Sequence, residues 1–94
     1  MPCVDCCTTA LVECQTAGKA VFTGARKDGS LVFTVTYPSG YTRFYRVWQS
    51  NRRGLRSNAT RVHLQYIDAG MKRWRRSELS HKFVDKLKAL SCEM

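Results

Sequence analysis

No stretch of this chain approaches the roughly twenty consecutive apolar residues that a membrane-spanning helix needs, so the sequence offers no helical span and no membrane partner is expected. The N-terminus lacks the positively charged start and following apolar run that mark a secretory signal. Catalytic groups are scarce. There are two histidines and seven acids, with no carboxylate pair and no spacing that brings a nucleophile to a base. A non-catalytic protein is therefore expected. Motifs that read duplex DNA or cradle phosphate are missing as well: no second helix for a helix-turn-helix, no paired Cys and His of a classical zinc finger, no glycine-rich loop.

The most informative shortage is of negative charge. Between Arg43 and Arg76 the only acid is Asp68, set against Arg43, Arg46, Arg52, Arg53, Arg56, Arg61, Lys72, Arg73, Arg75 and Arg76. Outside that stretch six basic residues are balanced by six acids, so the whole formal charge of +9 sits in one third of the chain. Nine of the ten cations in the cluster are arginine, whose planar fork matches phosphate geometry. Tyr41, Tyr45, Trp48 and Trp74 are interleaved with them. A localised basic surface mixed with aromatics is the usual footprint of nucleic-acid binding, and DNA or RNA is the expected partner. The competing expectation is an acidic protein surface, bound by a small inhibitor or adaptor of the kind viruses and mobile elements carry.

What is present also argues for a folded domain. The chain has 94 residues, a hydrophobic fraction of 44% and ten aromatics, which suffices for one small domain with its own core and excludes a disordered basic tail. Five cysteines are present, four of them within the first fourteen residues. An odd number without a signal peptide implies reduced thiols in the cytoplasm or nucleus. Cys3 and Cys6 have the two-residue gap of zinc sites, and Cys7, Cys14, Cys92 or His81 would have to complete the set. The second spaced pair of a zinc knuckle is missing, so no metal and no cofactor are expected.

Residues 1–18 form a cysteine-rich N-terminal segment, with Cys7, Ala10, Leu11 and Cys14 at helical spacing; a short helix over 8–16 and an edge strand over 10–14 both fit. Residues 19–94 read as a single basic sheet-plus-helix domain. The pattern predicts four antiparallel strands, Lys19–Lys27, Leu31–Tyr37, Tyr41–Gln49 and Arg61–Asp68, joined as a meander through turns at Asp28-Gly29 and Pro38-Ser39-Gly40. A helix over 78–90, capped by Ser77, presents Leu79, Phe83, Leu87 and Leu90 to one face of the sheet. The fold class is therefore α+β.

Two-residue turns in both hairpins place Phe22, Leu31, Phe33, Val35, Phe44 and Trp48 on the apolar face and leave Arg43 and Tyr45 on the open face. A three-residue turn between the second and third strands inverts that assignment, because a one-residue slip exchanges faces. In the fourth strand Val62, Leu64 and Tyr66 face inward, and Arg61, His63 and Gln65 outward. The expected nucleic-acid surface then comprises Arg43, Tyr45, Arg61 and His63 on the open face, with Arg46, the loop cations Arg52, Arg53 and Arg56, and the segment Lys72, Arg73, Trp74, Arg75, Arg76 extending it. Tyr45 is the expected base-stacking ring, while Trp74 either stacks on a base or anchors the start of the last helix.

Overall fold

A computed structural model of the protein describes residues 3–15, 18–53 and 58–90, with the side chains of Gln15, 51–53 and 58–60 outside the description. The elements run α1 (Val4–Gln15), β1 (Lys19–Ala25), β2 (Leu31–Thr36), β3 (Thr42–Arg53), β4 (Asn58–Asp68), β5 (Arg75–Arg76) and α2 (Ser80–Ala89). The strands form one antiparallel sheet in the order β1-β2-β3-β4-β5. This is the expected α+β meander with a C-terminal helix on one face. Arg75–Arg76 adds a short fifth strand against Gln65 and Tyr66.

The core lies between one face of the sheet and both helices. Ala20, Phe33, Val35, Tyr45, Val47 and Leu64 come from the strands, Phe83 and Leu87 from α2, and Cys7, Ala10 and Leu11 from α1. The helical spacing of Cys7, Ala10, Leu11 and Cys14 therefore holds, and α1 begins four residues earlier than the 8–16 span expected. Its buried stripe joins the N-terminal segment to the same core as the rest of the chain.

The end of α2 nearest the sheet differs from expectation. The helix starts at Ser80 rather than at 78, because Ser77 is committed to the sheet: its N–H donates to the Leu64 carbonyl at 3.2 Å. The Ser77 hydroxyl still accepts the Leu79 N–H at 3.1 Å, making a local turn that leads into the helix. Phe83 and Leu87, one turn apart, are both fully buried, whereas Leu90 stays exposed.

Both hairpin turns are one residue longer than expected. Gly40 donates its N–H to the Tyr37 carbonyl, and Tyr37 its own to the Tyr41 carbonyl, each at 2.8 Å, closing a three-residue turn over Pro38-Ser39-Gly40. Gly40 sits at φ +89°, the left-handed geometry such a loop requires. Val35 consequently faces Arg43, and Phe33 faces Tyr45. Tyr45 and Val47 turn inward, while Phe44, Arg46 and Trp48 turn to the outer face, the reverse of the expected assignment for β3.

The first hairpin also has a three-residue turn, Lys27-Asp28-Gly29, in which Arg26 N–H donates to the Ser30 carbonyl at 2.8 Å. The Asp28 carboxylate accepts both the N–H and the hydroxyl of Ser30, at 2.9 and 2.6 Å. Here a β-bulge between Phe22 and Gly24 supplies a second slip. The two slips add to a shift of two residues, which restores the facing, so Phe22 pairs with Phe33 and the apolar side of β1 and β2 is the expected one.

The cysteines do not share one state. Cys6 is disulfide-bonded, which corrects the expectation of a wholly reduced set. Cys3, Cys7 and Cys14 are thiols. Burial and then the neighbouring Cys3 push the Cys7 thiol up to about 12, a value at which it carries almost no thiolate at neutral pH. Among the described residues no three His, Cys, Asp or Glu side chains gather where they would hold a metal ion.

Truncating Phe33 or Phe83 to alanine should cost about 3–5 kcal/mol each in chemical denaturation, and Tyr45→Ala should cost about as much because its ring is as deeply buried. In alkylation of the folded protein followed by peptide mapping, Cys3 should label first and Cys7 only on unfolding. Cys6 should label only after a reductant is added.

Candidate nucleic-acid interface

The three-residue turn decides which groups share the open face of the sheet. Along β3 it sends Phe44, Arg46, Trp48 and Ser50 outward, opposite Ile67, Gln65, His63 and Arg61 of β4. No described side chain on this face is buried. Trp48 lies directly across the ladder from His63, and the rings stack with centroids 4.9 Å apart and planes at 15°. The His63 Nε2 is hydrogen-bonded to the Ser50 hydroxyl at 2.6 Å.

Arg46 is the centre of the arrangement. Its guanidinium carbon lies 5.0 Å from the Trp48 ring and 5.0 Å from the Trp74 ring. Its Nε donates to Gln65 Oε1 at 2.7 Å. Trp74, just before β5, carries a second cation, Arg26, at 5.8 Å. A row of rings and cations thus runs across the face: His63, Trp48, Arg46, Trp74, Arg26. Each cation–π contact is worth about 0.5–1 kcal/mol at exposed sites, and together they fix the Arg46 fork in one orientation.

Charge along this row is poorly compensated. Partial burial, and then the Arg26 charge, hold Arg46 below the ordinary arginine value, with Asp28 opposing the trend. His63 is held below its ordinary value by burial first and then by the charges of Arg61 and Arg76. An anion arriving here would meet donors already in position and relieve repulsion between neighbouring cations.

The expected site residues divide into groups. Arg46, Arg61, His63, Trp74 and Arg76 gather on or beside the open face, Arg61 and Arg76 being exposed. Lys72 and Arg73 are exposed in the segment between β4 and β5. Arg75 pairs with Tyr66 on the helix-facing register and lines, with Arg73, a small cleft beside Asp68. The side chains of Arg52 and Arg53, at the end of β3, and the whole of Arg56 lie outside the described residues.

Two expectations are corrected. Tyr45 is 1% exposed and shares a hydrogen bond with the Tyr37 hydroxyl at 3.1 Å, so it is a core residue and no stacking platform. Burial, then the Tyr37 contact, raise its phenol above the ordinary value. Arg43 leaves the open face with it: Nε donates to Asp68 Oδ1 at 2.6 Å, and the guanidinium lies 4.3 Å over Tyr66. Tyr41 also hydrogen-bonds to Asp68, and with Arg43 it holds that carboxyl below the ordinary range. The single acid of the basic stretch is therefore committed to Arg43 and does not neutralise the open face.

Sequence reasoning assigned no site role to Trp48, Arg26 or Gln65. Trp48 and Gln65 were legible once β3 is slipped by one residue, since strict alternation then aligns Arg46 and Trp48 with His63 and Gln65. Arg26 had no such signal: its reach to Trp74 depends on the path of a turn at one hairpin and of an irregular segment forty-odd residues on.

The His63 ring should titrate below the ordinary imidazole value of about 6.5 when followed by NMR. Because the fold favours the neutral ring, the associated stability is present above that value and is lost as pH falls through the folded one. Arg76→Gln should move the midpoint upward; an unmoved midpoint removes Arg76 from the field at His63.

Comparison with known proteins adds nothing to this geometry: no family model, no curated protein and no solved structure matches the chain.

Proposed function

We propose that the protein is a small non-catalytic nucleic-acid-binding module whose open sheet face contacts backbone phosphates. The observation that carries this reading is the clamp on Arg46, a guanidinium held between two indoles with its Nε directed to Gln65. Holding an arginine by its faces and one donor orients the rest of its fork, the arrangement that suits bidentate phosphate recognition. The partition of charge supports it further. Arg43 is satisfied by Asp68 at the helix-facing side, while Arg26, Arg46, Arg61 and Arg76 stand on or beside the open face with Asp28 as the acid felt by Arg46.

The rings serve two purposes in this reading. Trp48 and Trp74 order the cations in the unliganded protein, and they present aromatic surface to a base that displaces one of those cations. Sequence preference is expected to be weak, since a phosphate-directed fork carries no base information.

Fluorescence anisotropy with labelled DNA and RNA oligonucleotides over a series of salt concentrations tests the proposal. The logarithm of the affinity should fall linearly with the logarithm of salt concentration, and Arg26→Gln with Arg46→Gln should reduce that slope by about 1.4–1.8. Replacing Trp48 with leucine should weaken binding by loosening Arg46 while leaving the protein folded. Absence of binding at low salt, or binding indifferent to salt, would overturn the reading and return the acidic-protein alternative to first place.

A further inference from the structure

Among the described residues, the edge of β4 away from β3 is only partly covered. The two residues of β5 pair with Gln65 and Tyr66, and Ser77 adds one hydrogen bond to Leu64. No strand among the described residues pairs with β4 on that side from Asn58 to His63. Helix α2 passes below this stretch. A groove therefore runs along the strand edge, from the Trp48–His63 stack on the open face round to α2.

Two adjoining cavities make up the groove, of about 260 Å³ and about 200 Å³, and they share Arg61, Val62, Arg76 and Ser80. The first reaches Trp48, His63 and Gln65; the second continues to His81, Val84 and Lys88. The chemistry along it is mixed in a particular way. Val62 and Val84 give an apolar floor, Arg61 and Arg76 give two exposed guanidinium forks, and His63, Gln65 and Ser80 bring hydrogen-bonding groups between them.

From this we infer that the groove takes one nucleotide of a single-stranded nucleic acid, base toward Trp48 and Gln65 and phosphate between Arg61 and Arg76, and that the protein prefers single strands to duplex. The inference rests on the nucleic-acid reading above and names its substrate class. The cavity lined by Trp48, Gln65, Arg61 and Arg76 lies below the roughly 300–1,000 Å³ of a whole small-molecule pocket, so it suits one unit of a longer ligand. The groove is concave, and a base inside it must be unstacked and unpaired, which a single strand allows and a duplex opposes. Arg61 and Arg76 already depress the charge on His63; a phosphate seated between them reverses that effect.

The test compares oligothymidylate with a hairpin duplex of matched length, at one salt concentration, against four proteins: the parent, Arg61→Gln/Arg76→Gln, Arg26→Gln/Arg46→Gln and the control Lys82→Gln. Circular dichroism checks that each is folded, which these partly or fully exposed positions should allow. The parent should bind the single strand about tenfold more tightly than the duplex. Arg61→Gln/Arg76→Gln should remove about tenfold of single-strand affinity and most of the preference, whereas Lys82→Gln should leave both within about twofold of the parent. NMR should show the His63 midpoint rising when oligothymidylate binds.

Equal or tighter duplex binding, or an unchanged single-strand affinity in Arg61→Gln/Arg76→Gln, overturns the groove. If Arg26→Gln/Arg46→Gln still weakens binding in that case, the phosphate-contacting face survives and only the groove falls. If neither probe binds the parent, both fall together.

Discussion

The hydrogen bond from Gly40 N–H to the Tyr37 carbonyl closes the three-residue turn on which the rest of the molecule depends. With Gly40 in the left-handed region, β3 enters the sheet one residue out of step from a two-residue hairpin. That single step sends Tyr45 and Val47 into the core and Arg46 and Trp48 to the open face. In a strand with an aromatic or a cation at most positions, either register buries something large. The native one buries a tyrosine whose hydroxyl finds Tyr37 and satisfies Arg43 with Asp68. The opposite register would turn Arg46 and Trp48 toward the helices, into the space that Tyr45 and Val47 fill. Burying an unpaired charge costs far more than exposing a phenylalanine such as Phe44.

The Arg43–Asp68 pair also shapes the site it does not belong to. Its Coulomb energy at a half-exposed position is modest. Its larger effect is on the distribution of charge, because it occupies the one acid of the basic stretch. What remains on the open face is a set of cations ordered by tryptophans rather than by carboxylates. Rings hold a guanidinium without cancelling its charge. A surface organised in this way keeps its full attraction for an anion and requires little reordering when the anion arrives.

The repulsion between Arg26 and Arg46 across Trp74 runs against stability, and Arg61 and Arg76 oppose protonation of His63. Local consistency usually fails where a protein does something other than fold. The helix side of the same sheet is filled by apolar residues from α1, α2 and the strands, and its one conflict among the described residues is Gln49, whose Nε2 is buried without a hydrogen-bond partner. The α1 helix closes that side through Cys7, Ala10 and Leu11, which allows the opposite face to stay open.

The sequence by itself determined four of the five strands, their order, the amphipathic helix after Ser77 and the inward side of β1, β2 and β4. These follow from alternation and helical spacing, which are local properties of the chain. It also determined that the positive charge is concentrated and that arginine and aromatics share it. Only the tertiary structure decided the faces of β3, because the number of residues in a turn depends on which hydrogen bonds close it, and both Ser39-Gly40 and Pro38-Ser39-Gly40 carry turn-forming residues. The first hairpin shows the same limit from the other side: a longer turn and a bulge compensated each other, so the correct face followed from an incorrect register. The row of Arg26, Trp74, Arg46, Trp48 and His63 is likewise a tertiary product. Its members come from a turn, an irregular segment and two strands, and no local period in the chain connects positions brought together by the folding of distant segments.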